Sequence, residues 1–278
     1  DMAITTSAFG AYVLFGTPSG VPASLGQLNG SNGFRLQVDF SQPILGVVPV
    51  GDLDGDGRSD LIVRIRFGDA GVLRGRNYFV AGRNGAPGPV NQEPRIFDPF
   101  DGGLALMTGR TGDLDGDGQR DLVLTSADLS DQVRTFVLFN SNNGSGIFSG
   151  ARRSEVREAF PGDRASEGIA ILDLDGNGID DLALGMAGSD LPNTAAGQVA
   201  VLYGRNSWPA VVDLAAPPAQ MVKTLGSRLG ARMGWRLAPV SDLNGDGRAE
   251  LAMTAPQAGR SYVLYSNDGI FYGGSESP

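Results

Sequence analysis

The sequence predicts an all-β chain, a β-propeller built of four-stranded antiparallel blades. Three observations point there. A unit of about 60 residues recurs along the chain, a period that marks radial or linear arrays of small units. Each unit breaks into short apolar runs of strand character, with no long stretch repeating apolar residues at helical spacing. Glycine, at 42 of 278 residues, is scattered through the chain rather than gathered into a linker. Tight turns between many short strands account for it, because glycine reaches positive φ without steric cost. Four short strands per unit, repeated radially, make a propeller.

The repeat is carried by an acidic stretch. "GDLDGDGRSDLIV" (51–63) returns as "GDLDGDGQRDLVL" (112–124), "LDLDGNGIDDLAL" (172–184) and "SDLNGDGRAELAM" (241–253). The leading aspartates Asp52, Asp113, Asp173 and Asp242 are 61, 60 and 69 residues apart. A second run follows each copy: "RNYFVAG" (76–82), "RTFVLFN" (134–140), "GQVAVLYG" (197–204) and "RSYVLYS" (260–266). The opening "DMAITTSAFGAYVLFG" aligns with the chain from Asp60 onward, with Asp1 in the place of Asp60, and supplies a fifth, truncated copy. One domain over 1–278 is expected, with units near 1–42, 43–103, 104–165, 166–233 and 234–278, as a whole or as part of a larger propeller.

Within a unit the elements follow in order. Inner strands are expected in "PILGVVPVG", "LALMTGRTG", "GIAIL" and "GWRLAPV", just before the acidic loops. The second strands are "DLIVRIRF", "DLVLTSA", "DLALGMA" and "ELAMTAP". "AYVLFG" and its relatives, rich in β-branched and aromatic residues, form the third. The best helical candidate is "ARRSEVREAF" (151–160).

Composition narrows the function. A formal net charge of −9 disfavours nucleic acid and anionic membrane surfaces as partners. The chain has no cysteine, hence no disulfide and no thiolate metal site, and no histidine, hence no Ser-His-Asp triad and no imidazole ligand. No apolar run approaches the roughly 18 residues of a membrane span. A start at "DMAITTSA" without a signal peptide reads as a processed or trimmed chain.

The acidic loop has the chemistry of a cation site. A ligand set rich in oxygen and free of sulfur and nitrogen selects calcium, magnesium or manganese. In D-x-D-x-D-G-x-x-D, alternate carboxylates turn inward and the glycine allows the bend around the ion. In the first copy Asp52, Asp54, Asp56 and Asp60 offer side chains, and Arg58 its carbonyl. Calcium fits best, because it accepts six to eight oxygens in a flexible shell. An EF-hand also begins D-x-D-x-D-G, but it needs a glutamate at position 12 and flanking helices. Position 12 here is Val63, Leu124, Leu184 or Met253, between strands. Single Asp-Gly turns often bind nothing; four at one spacing, varied only to other oxygen donors (Asn177, Asn244, Glu250), argue for the ion. Four Ca²⁺ would offset much of the fourteen carboxylates at the expected ligand positions and bring the net charge near −1. Extracellular calcium modules bind at about 10⁻⁴–10⁻³ M, so an extracellular, cell-surface or periplasmic location is expected.

These repeats resemble the FG-GAP family, the calcium-binding blades of the integrin α-subunit propeller and of many bacterial extracellular proteins. "AYVLFGTPSGVPASLGQLNGSNGFRL" (11–36) is similar to the family's third-to-fourth-strand stretch, and "MTAP" (253–256) stands where the family often has G-A-P. The resemblance implies ligands at loop positions 1, 3, 5, 7 (carbonyl) and 9. These are Asp52, Asp54, Asp56, Arg58 and Asp60, then Asp113, Asp115, Asp117, Gln119 and Asp121. The third set is Asp173, Asp175, Asn177, Ile179 and Asp181, the fourth Asp242, Asn244, Asp246, Arg248 and Glu250. About four Ca²⁺ ions are implied. The integrin propeller has seven blades and this chain five copies, which leaves the blade number open.

The function expected is a noncatalytic binding or adhesion module for glycans or proteins. By analogy with the family, partners meet the face opposite the calcium loops, formed here by 66–77, 125–132 and 186–197. Trp208 and Trp235, in the inserted segment 205–235, either stack on a sugar or fill core space between blades. A second reading is a polysaccharide-acting enzyme or its accessory domain, with acids drawn from Glu93, Asp128, Asp131, Glu155, Glu158, Asp163 and Glu167. A third is a structural subunit of a larger cell-surface assembly, in which a further chain or segment completes the first blade.

Overall fold

The computed structural model describes residues 2–5, 10–16, 24–38, 43–67, 74–83, 85, 88–94, 96, 109–127, 133–140, 152–157, 168–188, 196–218, 221–225, 231–265 and 271–273. The chain forms two compact units, Asp1–Gly109 with Asn140–Ala151, and Arg110–Phe139 with Arg152–Pro278. Among the described residues the only helical elements are three single 3₁₀ turns, at Leu25–Gln27, Val90–Gln92 and Pro256–Ala258. No helix there is long and apolar enough to cross a membrane.

The first unit holds two antiparallel sheets. One has β1 (Met2–Thr5), β2 (Ala11–Leu14) and β3 (Gly33–Leu36) in that order; the other has β4 (Ile44–Gly51), β5 (Asp60–Phe67) and β6 (Arg74–Val80). Period-2 alternation turns Ala11, Val13, Phe34 and Leu36 of the first toward Val63, Ile65, Tyr78 and Val80 of the second. Phe15 meets Phe34 edge-on, 5.6 Å between ring centroids. The ladder between β4 and β5 shifts register between Pro49 and Gly51, where proline brings no N–H.

The second unit stacks three sheets. β7 (Gly109–Gly112), β8 (Asp121–Ala127), β9 (Val133–Leu138) and β10 (Arg153–Arg157) form the first. β11 (Gly168–Leu172), β12 (Asp181–Met186), β13 (Gln198–Leu202) and β15 (Met221–Leu225) form the next. β16 (Leu237–Val240), β17 (Glu250–Ala255), β18 (Arg260–Leu264) and β19 (Phe271–Gly273) form the last. The middle sheet is covered on both faces, which is why β12 and β13 are buried at every position. Leu182, Leu184 and Met186 pack with Val123, Val137 and Val156 on one side. Ala183, Val199 and Val201 pack with Leu251, Met253 and Leu264 on the other. Small residues let the chains approach closely here: a Cβ on Gly185 would lie 2.0 Å from the Gly234 carbonyl oxygen.

Two expectations change. Segment 151–160 is not helical where it is described; β10 pairs antiparallel with β9, Arg153 opposite Leu138 and Val156 opposite Thr135. Ser154 and Val156 are buried while Arg153 and Arg157 are exposed, a period of two that the charged residues mask in sequence. The sheets are also not uniformly four-stranded: among the described residues they have three, three, five, four and four strands. The fifth strand, β14 (Val211–Asp213), leaves the fourth repeat and pairs in parallel with β10 of the third. That excursion carries Trp208 into the core, where its indole N–H donates to the Leu114 carbonyl at 2.8 Å and its ring packs 5.8 Å from Phe139. Trp208 fills space between sheets. Trp235 is half-buried, with the guanidinium groups of Arg232 and Arg236 each 5.7 Å from its ring.

Candidate metal centres

Each acidic stretch joins an inner strand to the next strand: β4 to β5, β7 to β8, β11 to β12 and β16 to β17. The side chains fold the loop by capping its backbone. The position-1 aspartate accepts from the amides at positions 4 and 6. Gly55 and Gly57 each donate to Asp52 at 2.8 Å, Gly116 and Gly118 to Asp113 at 2.7 and 2.9 Å. Asp173 and Asp242 repeat the pattern. The residue at position 5 accepts from the amide at position 7, as in Asp56 from Arg58 (2.9 Å) and Asn177 from Ile179 (2.7 Å). Gln119 and Arg248 donate likewise to Asp117 and Asp246.

This path requires left-handed backbone at positions 4 and 6, and all eight residues there are glycine with φ between 75° and 86°. A Cβ on Gly57 would touch nothing within 4 Å, so only conformation opposes a side chain. Gly57→Ala is therefore expected to destabilise the loop by about 1–2 kcal/mol and to weaken cation binding at that site alone. Urea unfolding with and without added cation reads both.

At position 9 stands a fully buried carboxylate: Asp60, Asp121, Asp181 or Glu250, each 0% exposed. Its second oxygen accepts from the position-2 amide, Leu53 (2.7 Å), Leu114 (2.9 Å), Leu174 (2.9 Å) or Leu243 (2.7 Å). In Asp60 and Asp181 the first oxygen accepts from Gly82 (2.7 Å) and Gly204 (2.8 Å), just past the third strand. One side chain thus ties loop, second strand and third strand. Burial raises the Asp60 carboxyl above its usual range and pushes Asp181 up to about 7; amide hydrogen bonds oppose the shift without cancelling it.

Carboxylate oxygens converge in every loop. Asp52, Asp54 and Asp60; Asp113, Asp115 and Asp121; Asp173, Asp175 and Asp181; and Asp242, Asp246 and Glu250 each bring ligand atoms within 4.8 Å of one another. Ligands of one ion at a Ca–O distance of about 2.4 Å stand no farther apart than that. Asp56 and Asp117, expected as ligands, are not in these groups; in this bend their carboxylates cap the position-7 amides. The amide side chains of Asn177 and Asn244 lie within their loops, donating to Asp175 and Asp246 at 3.1 Å. Arg58, Gln119, Ile179 and Arg248 hold position 7 by the amide bonds above. Asp1 lies outside the described residues.

Three contacts escaped the sequence reading. Asp180, the first acid of "IDD", accepts from the Asp113 amide at 3.0 Å and returns its own amide to the Asp113 carbonyl at 2.8 Å. Asn140 donates to the Leu53 carbonyl at 2.7 Å. Arg152 pairs with Asp115 and lies 4.0 Å over the Phe139 ring. The doubled aspartate was visible; the other two join residues 87 and 37 positions apart. Burial and neighbouring Asp117 raise the Asp115 carboxyl, against the pull of Arg152. Arg152 would compete with a bound cation for this carboxylate. Arg152→Ala is expected to tighten the second site several-fold, about 1 kcal/mol, and to lower the melting temperature of the cation-free protein. Site-resolved titration and a melt in chelator separate the two effects.

A profile of FG-GAP-like repeats matches residues 113–184, spanning the second and third loops. A profile of the FG-GAP repeat matches residues 233–267, spanning the fourth. The chain carries FG-GAP repeats. Comparison with curated proteins finds no match. The loop at 52–60 falls outside both matches, yet its cluster and hydrogen bonds repeat those of the matched FG-GAP loops. The donor set suits a hard divalent cation: carboxylate and amide oxygens only, preset by backbone hydrogen bonds. In the fourth FG-GAP loop, Glu250 Oε1 is buried with no hydrogen-bond partner among the described residues, an acceptor a cation would satisfy.

Proposed function

We propose that these FG-GAP repeats are propeller blades stabilised by calcium, in an extracellular, noncatalytic module that binds a glycan or a protein. The observation that carries this reading is the closure of each cation cluster within one loop at a strand junction. A bound cation would neutralise the converging carboxylates. The residues that would hold it are the four clusters, with Asp56, Asp117, Asn177 and Asn244 beside them. The chain's part is to preset those oxygens through the loop amides and to lock the second strand against the third through position 9. Little coordination is left open for a substrate, which favours a structural ion over a catalytic one.

Two of the candidate acids outside the loops are held in ion pairs. Glu93 is paired with Arg83 at 3.2 Å, and Glu155 with Arg134 and Arg157 at 3.1 Å each. Asp128, Asp131, Glu158, Asp163 and Glu167 lie outside the described residues, as does most of the expected partner face: 68–73, 128–132 and 189–195. Glycan and matrix-protein arrays probed in millimolar calcium and in chelator test the reading. Calcium-dependent retention without product formation is expected; release of shortened glycan would replace the module with an enzyme.

A further inference from the structure

The second and third acidic loops are joined at one residue. Asp180 stands at position 8 of the third loop, between Ile179 and the buried Asp181. Its carboxylate accepts from the Asp113 amide at 3.0 Å, and its own amide donates to the Asp113 carbonyl at 2.8 Å. Asp113 opens the second loop and belongs to its cluster, as Asp181 belongs to the cluster of the third. A member of one cluster is thus held, on both sides of its backbone, by the neighbour of a member of the other.

Close packing leaves this clamp no slack. A Cβ on Gly116, position 4 of the second loop, would lie 2.8 Å from Ile179 Cδ1, and one on Gly112 would lie 2.5 Å from Asp180 Oδ2. From the other side, a Cβ on Gly204 would lie 2.3 Å from the Asp180 carbonyl oxygen, while the Gly204 amide donates to Asp181. The Asp180 charge is also within electrostatic reach of Asp113 and of Asp173, the position-1 residues of both loops. Position 8 elsewhere is Ser59, Arg120 or Ala249. The fourth loop meets the third through Arg248 packed against Gly176, with no carboxylate at position 8 to clamp it.

We infer that Asp180 is a positioning residue for the second cation site, supplied by the third loop, and that it makes the two sites fill as a coupled pair. Ordering either cluster fixes the hydrogen bonds between Asp180 and Asp113, so the other cluster has less left to order. Linkage makes the coupling equal in both directions. The inference rests on the cation reading proposed above.

The test follows calcium titrations of the full chain by the amide resonances of Gly118 and Gly178. These donate to Asp113 and Asp173 at 2.9 Å each, and so report the two loops separately. Asp173→Ala should raise the Gly118 midpoint about fivefold, and Asp113→Ala the Gly178 midpoint by the same factor. Asp242→Ala, across the contact without a clamp, should move the Gly178 midpoint less. Asp180→Ala should abolish the mutual effect of the second and third sites, and Asp180→Asn, which keeps the acceptor, should restore it. Alanine already occupies position 8 of the fourth loop, so Asp180→Ala is compatible with the loop fold. Melting in chelator shows that each variant folds, and asparagine replaces alanine at Asp113 or Asp173 if one does not. A Gly118 midpoint unmoved by the loss of Asp173, or coupling that survives Asp180→Ala, overturns the inference. Resonances of the parent that ignore calcium overturn the cation reading itself, and the inference with it.

Discussion

Asp181→Ala is expected to destabilise the protein by about 3–5 kcal/mol in the presence of calcium, the largest effect of any single loop substitution. The carboxylate has no exposure and accepts three amides: Leu174 (2.9 Å), Asp175 (3.3 Å) and Gly204 (2.8 Å). Alanine leaves these donors unpaired, at about 1–3 kcal/mol for each one that stays buried, and removes a cation ligand. Asp181→Asn separates the two losses. Asparagine keeps an acceptor but not the charge, so it should cost nearly as much as alanine in calcium and far less in chelator. Urea unfolding of the three proteins in both buffers reads the differences. Alanine within about 0.5 kcal/mol of the parent, the range of ordinary surface changes, would contradict the structural role of position 9.

Chelation is expected to remove about 5–6 kcal/mol, if calcium stands tenfold above the dissociation constant at each of four independent sites. That is comparable with the whole net stability of a typical domain. The pH dependence should also reverse. In chelator, the folded Asp181 carboxyl titrates at about 7, above its unfolded value of 3.8. A raised folded pKa stabilises below the unfolded value and loses that contribution as pH rises to the folded one. The cation-free protein should therefore lose up to about 4 kcal/mol between pH 4 and 7 from this group. Burial acts on Asp60 in the same direction. With calcium saturating, the ion holds the carboxylates charged, and stability should rise over the same interval as protons stop competing. Thermal melts across pH 5–8 in both buffers test the crossing; parallel curves would contradict it.

The acidic loops were legible in sequence because their requirements are local. A carboxylate at position 1, glycine at position 6 and an acid at position 9 all take part in hydrogen bonds within the loop that span at most seven residues. The 60-residue spacing then repeated the message. Position 5 carries a second role that spacing does not show: Asp56, Asp117 and Asp246 each cap the position-7 amide, and Asp246 also stands in its cluster. Non-local pairing explains the other misses. β10 is a strand because β9 lies beside it, and its local composition suggests a helix. β14 has three residues, and only its parallel register with Glu155, Val156 and Arg157 makes them a strand. Trp208 allowed two readings until Leu114 and Phe139 were seen around it.

Calcium bound per chain is the most direct measure of the central claim. Equilibrium dialysis of the purified chain against millimolar calcium, followed by elemental analysis, should find about four ions per molecule. Asp52→Ala, Asp113→Ala, Asp173→Ala and Asp242→Ala should each remove one. A ratio near zero, or one unchanged by these substitutions, would contradict the account.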